Sequence, residues 1–374
     1  MNKVIVWVIV LVVVVWGGFA IFKGDSTPKE TGPIKIGFIG PLTGDAANIG
    51  QNAKSAVEIA VEEVNAAGGI DGRMLEVIYE DGSCNGPKAA SAASKLINVD
   101  KVAMILGGAC SGETSSFTAA AEQAMVPVLS YCSSAPSISN AGDYIFRNYP
   151  SDLYQGAYGA EYIANKLGKK KVAILYVQSD WGSGIKDVFT QKLNELGGSV
   201  VAEEGYAQTS KDLRSQLTKI KAAQPELIYF LGYTDASIPG IKQAKELGLT
   251  APLFGADAWD DSKIWQEAGA AGEGAMFSVA SAQPSDTFKS AMRAKVGNDE
   301  IGACSPYAYD AVKIIAKVLE KSGTDRTAIK DELYKVTYTG GVSSDSISFD
   351  QNGDPASANY IVKKVSGGKA SEIE

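Results

Sequence analysis

The chain of 374 residues contains no histidine. That absence removes Ser-His-Asp and Cys-His nucleophilic arrangements and every histidine metal site. Positive charge is also in short supply: 35 Lys and Arg stand against 43 Asp and Glu, a formal net charge of −8. Binding a phosphate backbone needs clustered Lys and Arg. With no basic stripe in the sequence, no nucleic-acid partner is expected. Cysteine is scarce, with four residues, Cys84, Cys110, Cys132 and Cys304, none in a C-x-x-C spacing. No metal site and no cofactor is expected from these residues.

Long apolar runs are confined to the N-terminus. Val4 to Phe22 is uncharged and mostly apolar, bounded by Lys3 and Lys23. This is long for a signal-peptide core and within the range that crosses a bilayer. Residues 1–23 therefore read as a signal or, since no A-x-A site follows and no Cys stands near the end to take a lipid, an uncleaved membrane anchor. Everything after Lys23 is then exported to the outer side of the cytoplasmic membrane, the periplasm or cell surface. Residues 24–33 (GDSTPKETGP) are polar and carry two prolines, the composition of a linker.

From Ile34 onward, strand-like and helix-like segments alternate. IKIGFIG is followed by GQNAKSAVEIAVEEVNAA, whose apolar residues recur at helical spacing from Ala53 to Val64 and end at Gly68-Gly69. MLEVIYE, a helix over 87–97, VAMILGG, a helix over 113–124, VPVLS and YIFRN continue the pattern. This predicts a doubly wound parallel sheet. A second series begins after Pro150, with strands KVAILYV, SVVAEEGY, LIYFLG, APLFGA and GAMFSVA separated by helices over 154–167, 184–196, 212–222 and 237–247. Helices over 306–321 and 327–336 follow, and SISFD and NYIVKKV look like closing antiparallel strands. The fold class is α/β, two Rossmann-like lobes.

The stretch from Leu106 to Pro136, LGGACSGETSSFTAAAEQAMVPVLSYCSSAP, stands out. Twice an apolar strand ends in small polar residues that open the next segment. Such strand ends collect backbone N–H groups and short hydroxyls that suit an anion, though ordinary N-caps would carry the same residues. In the second series, strand ends lead to QSDWGSG, to Tyr233-Thr234-Asp235 and to Asp257-Ala258-Trp259. If the lobes face one another, Trp181, Tyr233 and Asp257 look at the anion site. A carboxylate opposite N–H donors, with aromatic faces between, suits a zwitterion. Locally, Trp181 could equally be loop packing and Asp257 a helix cap.

An even number of cysteines in an exported chain favours disulfides, and sequence alone allows three pairings. Cys84 and Cys110 both follow strand-like runs and should share a sheet edge, so they are paired first. Cys132 with Cys304 is the remainder. Reduced, buried cysteines are the alternative.

The motifs IGFIGPLTGDAANIGQ, AVEEVNAAGGIDGRMLEVIYEDGSCNGPKAA, GGACSGETSSF, VPVLSYCSSAPSIS, YIFRNYPSDLYQG and ACSPYAYDAV together resemble the type I periplasmic binding proteins. The likeness is to their leucine/isoleucine/valine-binding branch, which serves ABC importers, and it runs from about Ile34 to Val365. It implies two lobes joined by a three-crossing hinge, residues 34–150 plus 283–354 as lobe 1 and 151–282 plus 355–374 as lobe 2, with ligand captured by hinge closure. It also implies that Ser111, Cys132 and Ser134 bind a ligand's carboxylate and help with its ammonium, with Ala109, Cys110 and Ser133 beside them. The aromatic wall falls on Trp181 and Tyr233 and the amine-binding acid on Asp257, usually Glu in the branch. Ile49 and Cys304 stand where that branch has pocket-lining aromatics. The resemblance agrees with the Cys84 and Cys110 pairing, and a Cys132 and Cys304 bridge would reshape the side-chain pocket.

The expected function is an extracytoplasmic solute-binding protein, not an enzyme. It would take an amino acid, branched-chain or other small aliphatic, and deliver it to the membrane permease of an ABC importer. A neutral amide, urea or small aliphatic acid is the alternative ligand. An amidohydrolase using Ser111, Cys110 or Cys132 is disfavoured, because no histidine exists to activate a nucleophile.

Overall fold

The computed structural model describes residues 31–297 and 301–373. The expected anchor 1–23, and the linker as far as residue 30, lie outside them.

The apolar run IKIGFIG forms β1 (Ile34–Gly40), buried at every position except Lys35, as a strand covered on both faces must be. It pairs in parallel with β2 (Leu75–Asp81) and β3 (Ile105–Gly107). Beyond β3 lie β4 (Val128–Ser130) and β5 (Ile145–Arg147), giving the parallel order β2-β1-β3-β4-β5. Helices α1 (Ala47–Ala66), α2 (Gly86–Asn98) and α3 (Ser111–Gln123) make the crossovers.

A second sheet takes β6 (Lys171–Val177), β7 (Ser199–Tyr206), β8 (Leu227–Leu231), β9 (Leu253–Gly255) and β10 (Met276–Ala280), all parallel. Its helices are α4 (Asp152–Glu161), α5 (Asp180–Glu195), α6 (Arg214–Ala222), α7 (Thr234–Glu246) and α8 (Ser262–Ala268). β13 (Tyr360–Ser366) then adds antiparallel to β10, and β14 (Lys369–Ile373) antiparallel to β13. The order is β14-β13-β10-β9-β8-β6-β7.

Between β10 and β13 the chain returns to the first sheet. α9 (Asp286–Val296), α10 (Ser305–Ser322) and α11 (Arg326–Leu333) contribute Phe288, Ile315, Leu319 and Ile329 to the core that holds Phe38 and Val57. A two-stranded ribbon, β11 (Tyr338–Thr339) and β12 (Ser346–Ile347), follows. The chain therefore passes between the two sheets three times, after β5, after β10 and before β13, in the type I periplasmic binding protein architecture.

No range was assigned from sequence to α8, α9, β11 or β14. SISFD pairs over only two residues, as β12, while NYIVKKV is the antiparallel strand expected. Buried Arg147, at the end of β5, makes a two-pronged ion pair with Asp354, with Nε to Oδ1 at 2.6 Å and Nη2 to Oδ2 at 3.0 Å. Arg147 also donates to Ala135 O and Ser139 Oγ. Charge-assisted bonds of this bidentate kind are strong and directional, and here they tie the first crossing to the third.

Candidate functional site

The first-sheet half of the site is built where β3 turns into α3. Gly107 has φ of +145°, and a Cβ there would collide with the carbonyl of Ile39, so the turn needs glycine. Glu113, fully buried, reaches back under the turn. Its Oε2 accepts from the N–H groups of Ala109 (3.1 Å) and Cys110 (3.2 Å), and its Oε1 from that of Cys84 (2.8 Å). Burial outweighs these three bonds and pushes its carboxyl up to about 7.

This arrangement corrects the expectation that the whole strand end aims its N–H groups outward. The Ala109 and Cys110 donors are spent on Glu113. Those of Ser111 and Gly112, the first two of α3, have no acceptor among the described residues, as at any helix start. They remain for a ligand.

The second loop is stitched to the first by hydroxyls. Ser130 Oγ donates to Gly108 O at 2.8 Å, Thr114 Oγ1 accepts from Gly108 N at 2.9 Å, and Ser111 Oγ accepts from Ala135 N at 3.0 Å. Ser133 serves the same framework. Its hydroxyl meets Thr114 Oγ1 (2.7 Å) and Gly108 O (3.0 Å), its N–H donates to Ser130 Oγ, and it does not line the cavity. Expected as a ligand contact, Ser133 is instead part of the mortar beneath it, because both its polar groups are already bonded.

A cavity of about 1070 Å³ brings together the other expected residues. Ile49, Ala109, Cys110, Ser111, Cys132, Ser134 and Cys304 line it from the first sheet's side, and Trp181, Tyr233 and Asp257 from the second. Disulfides join Cys84 to Cys110 and Cys132 to Cys304, each with Cα atoms 5.4 Å apart. The second bridge lies in the cavity wall.

Trp181 sits in the first turn of α5, whose cap Ser179 accepts from Gly182 N. Its ring stacks on Tyr233 at 5.0 Å between centroids and 28° between planes. Asp257, 6% exposed, accepts from Ala258 N at 3.0 Å. Burial raises its carboxyl to about 6, opposed by the facing Tyr149 hydroxyl and the Ala258 N–H. The local alternative for Asp257 does not hold: α8 is capped by Asp261, which accepts from Lys263 N.

The two halves touch. Asn48 Nδ2 donates to Asp261 Oδ1 at 2.8 Å, Gln208 Nε2 donates to Cys84 O at 3.2 Å, and Gly184 abuts Pro136 so closely that a Cβ would sit 2.8 Å from its Cδ. This is a closed cleft. Asn48, Gln208, Asp261 and Glu113 were not singled out from sequence. The Asn48 and Asp261 partners are 213 residues apart, and no spacing rule reaches that far. Glu113 did have a signal, since it stands three residues after the helix cap in a capping-box pattern.

The chain is similar to known proteins over most of its length. Residues 33–369 match the family model described as periplasmic binding protein. A leucine-, isoleucine-, valine-, threonine- and alanine-binding protein of Pseudomonas aeruginosa is 31% identical over 347 residues, 91% of each chain. A leucine-binding protein structure from Thermotoga maritima has a TM-score of 0.85 at 28% identity, covering 91% of this chain and 98% of that one. A branched-chain amino acid transporter substrate-binding protein from Streptococcus pneumoniae, solved with isoleucine, has a TM-score of 0.82 at 29% identity, covering 90% and 97%. The chain belongs to the periplasmic binding protein family, whose members bind substrates and do not transform them.

Proposed function

We propose that the protein captures an α-amino acid, branched-chain or another small aliphatic one, between its lobes and delivers it to the permease of an ABC importer. One observation carries this reading. The closed cavity sets the free N–H groups of α3 and the hydroxyls of Ser111 and Ser134 across from the buried carboxylate of Asp257 and the stacked rings of Trp181 and Tyr233. An α-carboxylate fits the first set, since a helix start favours anions, and an α-ammonium fits the second. Ile49 and the Cys132–Cys304 bridge then bound the side chain.

The lobes are 34–150 with 283–354 and 151–282 with 355–374, and the protein works on the outer side of the cytoplasmic membrane, held there by residues 4–22. Ligand shifts the population to the closed form only as far as it binds that form better, and the permease reads closure. Calorimetry with the twenty standard amino acids tests the reading: at least one aliphatic member should bind, and binding by none would sink it. A neutral amide, urea or small aliphatic acid is the second reading, in which the carboxyl of Asp257 meets no ligand charge. Asp257→Asn separates the two, because only an ammonium needs the charge.

A further inference from the structure

Behind the cavity wall lies a second acid that the sequence did not flag. Asp152 opens α4 at the first crossing between the sheets. It is fully buried, and neither carboxylate oxygen completes a hydrogen bond. The Tyr229 oxygen and Oε1 of Gln155, both buried, are also unpartnered. Two connections lead from Asp152 to the ligand site. Its backbone N–H donates to Ser134 O at 2.7 Å, and the Ser134 side chain, on the cavity wall, lies beside its carboxyl with no hydrogen bond between the two in this structure.

The charged and titratable groups around Asp152 come from every neighbouring element. Asp257 faces it from beyond β9, Tyr229 from β8, Tyr233 from the start of α7 and Tyr360 from β13. The cation on this side, Arg147 from β5, is already committed to Asp354. An isolated buried carboxylate beside another carboxylate is the costliest arrangement available, and such a group keeps its proton. Burial and the charge of Asp257 both raise the Asp152 carboxyl well above its ordinary range, against the Ser134 hydroxyl and Arg147.

The state of that proton decides what Ser134 can offer. A serine hydroxyl has one hydrogen to donate and lone pairs to accept. An ionised Asp152 can only accept, so it would take the Ser134 hydrogen and leave a lone pair facing any anion in the cavity. A protonated Asp152 reverses the direction.

We propose that Asp152 is a positioning residue: un-ionised in the ligand complex, it donates to the Ser134 hydroxyl, so that Ser134 presents its own hydrogen to the ligand's carboxylate. The proton stays on Asp152 throughout, and no bond is made or broken. This inference rests on the amino-acid reading above and deepens it, making the anion end of the site depend on a neutral acid at the hinge.

The test uses the full chain and, as probe, the tightest-binding of the twenty standard amino acids. Infrared spectra of protein carrying carbon-13-carboxyl aspartate, recorded with ligand at pH 8, should show the C=O stretch of an un-ionised aspartic acid, which Asp152→Asn removes. Asp152→Asn keeps an N–H donor for Ser134 and should bind within about threefold of wild type, whereas Ser134→Ala should lose about tenfold or more in either background. An absent band overturns the proposal, and so does a loss of tenfold or more in Asp152→Asn with its melting temperature intact, which would make Asp152 an ionised contact of the ammonium. An absent band is read in wild type alone and overturns the proposal whatever the variant does; a band that is present is assigned by its loss in Asp152→Asn or, should that variant not fold, in Asp152→Ser, because Asp257, Asp261 and Asp310 are also buried acids with raised carboxyls. Failure of every amino acid to bind wild type refutes the parent reading instead.

Discussion

Asp257→Asn should weaken ligand binding and stabilise the empty protein. The carboxylate is buried and its pKa is raised from 3.8 to about 6. Each unit is worth 1.36 kcal/mol between protonation states, so at pH 7.5 the empty site carries a penalty on the order of 2–3 kcal/mol. An asparagine keeps the Ala258 N–H acceptor and removes the charge that causes the penalty. The ligand ammonium, by contrast, loses a buried charge partner, a change that costs about 2–5 kcal/mol, or roughly thirty- to several-thousand-fold in Kd. Differential scanning calorimetry of the empty protein and titration calorimetry with the best amino acid measure the two effects. The melting temperature should rise by a few degrees while affinity collapses. A lower melting temperature, or affinity within threefold of wild type, would refute the reasoning.

The pH response should show the same opposition. Asp257 and Glu113, at about 6 and about 7, sit above the ordinary carboxylate range near 4. The folded state therefore binds more protons, and its stability should rise as pH falls from 7.5 towards 5. Ligand affinity should fall over the lower part of that window, below about 6, as Asp257 protonates, and a thermal-shift series with and without ligand would reveal both. Replacing Cys132 and Cys304 by alanine opens a loop of 172-residue separation, worth up to about 5 kcal/mol in the chain-entropy model. The melting temperature should drop, and the preferred ligand should shift to a bulkier side chain in the amino-acid panel. Asn48→Ala removes the Asn48–Asp261 bond across the cleft. It should weaken binding about two- to tenfold without changing the melting temperature of the empty protein, since Asp261 keeps Thr234 and Lys263.

The central parallel strands were legible because burial on both faces demands unbroken apolar runs, as in KVAILYV and LIYFL, while SVVAEEGY at the sheet edge is only half-buried. α9 was legible in principle: Ser285 caps it through Phe288 N and Gly297 ends it in the left-handed region. Its apolar face is only Phe288 and Met292, too thin a stripe to register. β14 is half-exposed and polar, and only the Gly367-Gly368 turn announces the hairpin.

At the site, residue types carried the reading as far as chemistry can be read locally. Small hydroxyls, an aromatic pair and an acid at strand ends converge on one cavity, as expected. Direction was illegible. Ser133 and Ser134 are adjacent and identical in type, yet one is consumed by Thr114 and Gly108 while the other faces the cavity. Glu113 absorbs donors that a linear reading assigns to the ligand. Which lone pair meets which hydrogen is decided by loops brought together across tens of residues.

The return of the chain to its first sheet also sets an order of assembly. Synthesis runs from the N-terminus, so β1 to β5 and the helix α1 are made early. The face of α1 that holds Ala53, Ala56, Val57 and Ala60 waits for Ala308, Ala311, Val312 and Ile315 of α10. Those residues emerge only after all of β6 to β10. The intervening segment, by contrast, supplies five neighbouring parallel strands from one uninterrupted stretch. The nascent protein thus carries the five parallel strands of the later half, still without β13 and β14, beside an earlier half whose greasy flank is bare, and it is during that interval that a chaperone has the most to cover.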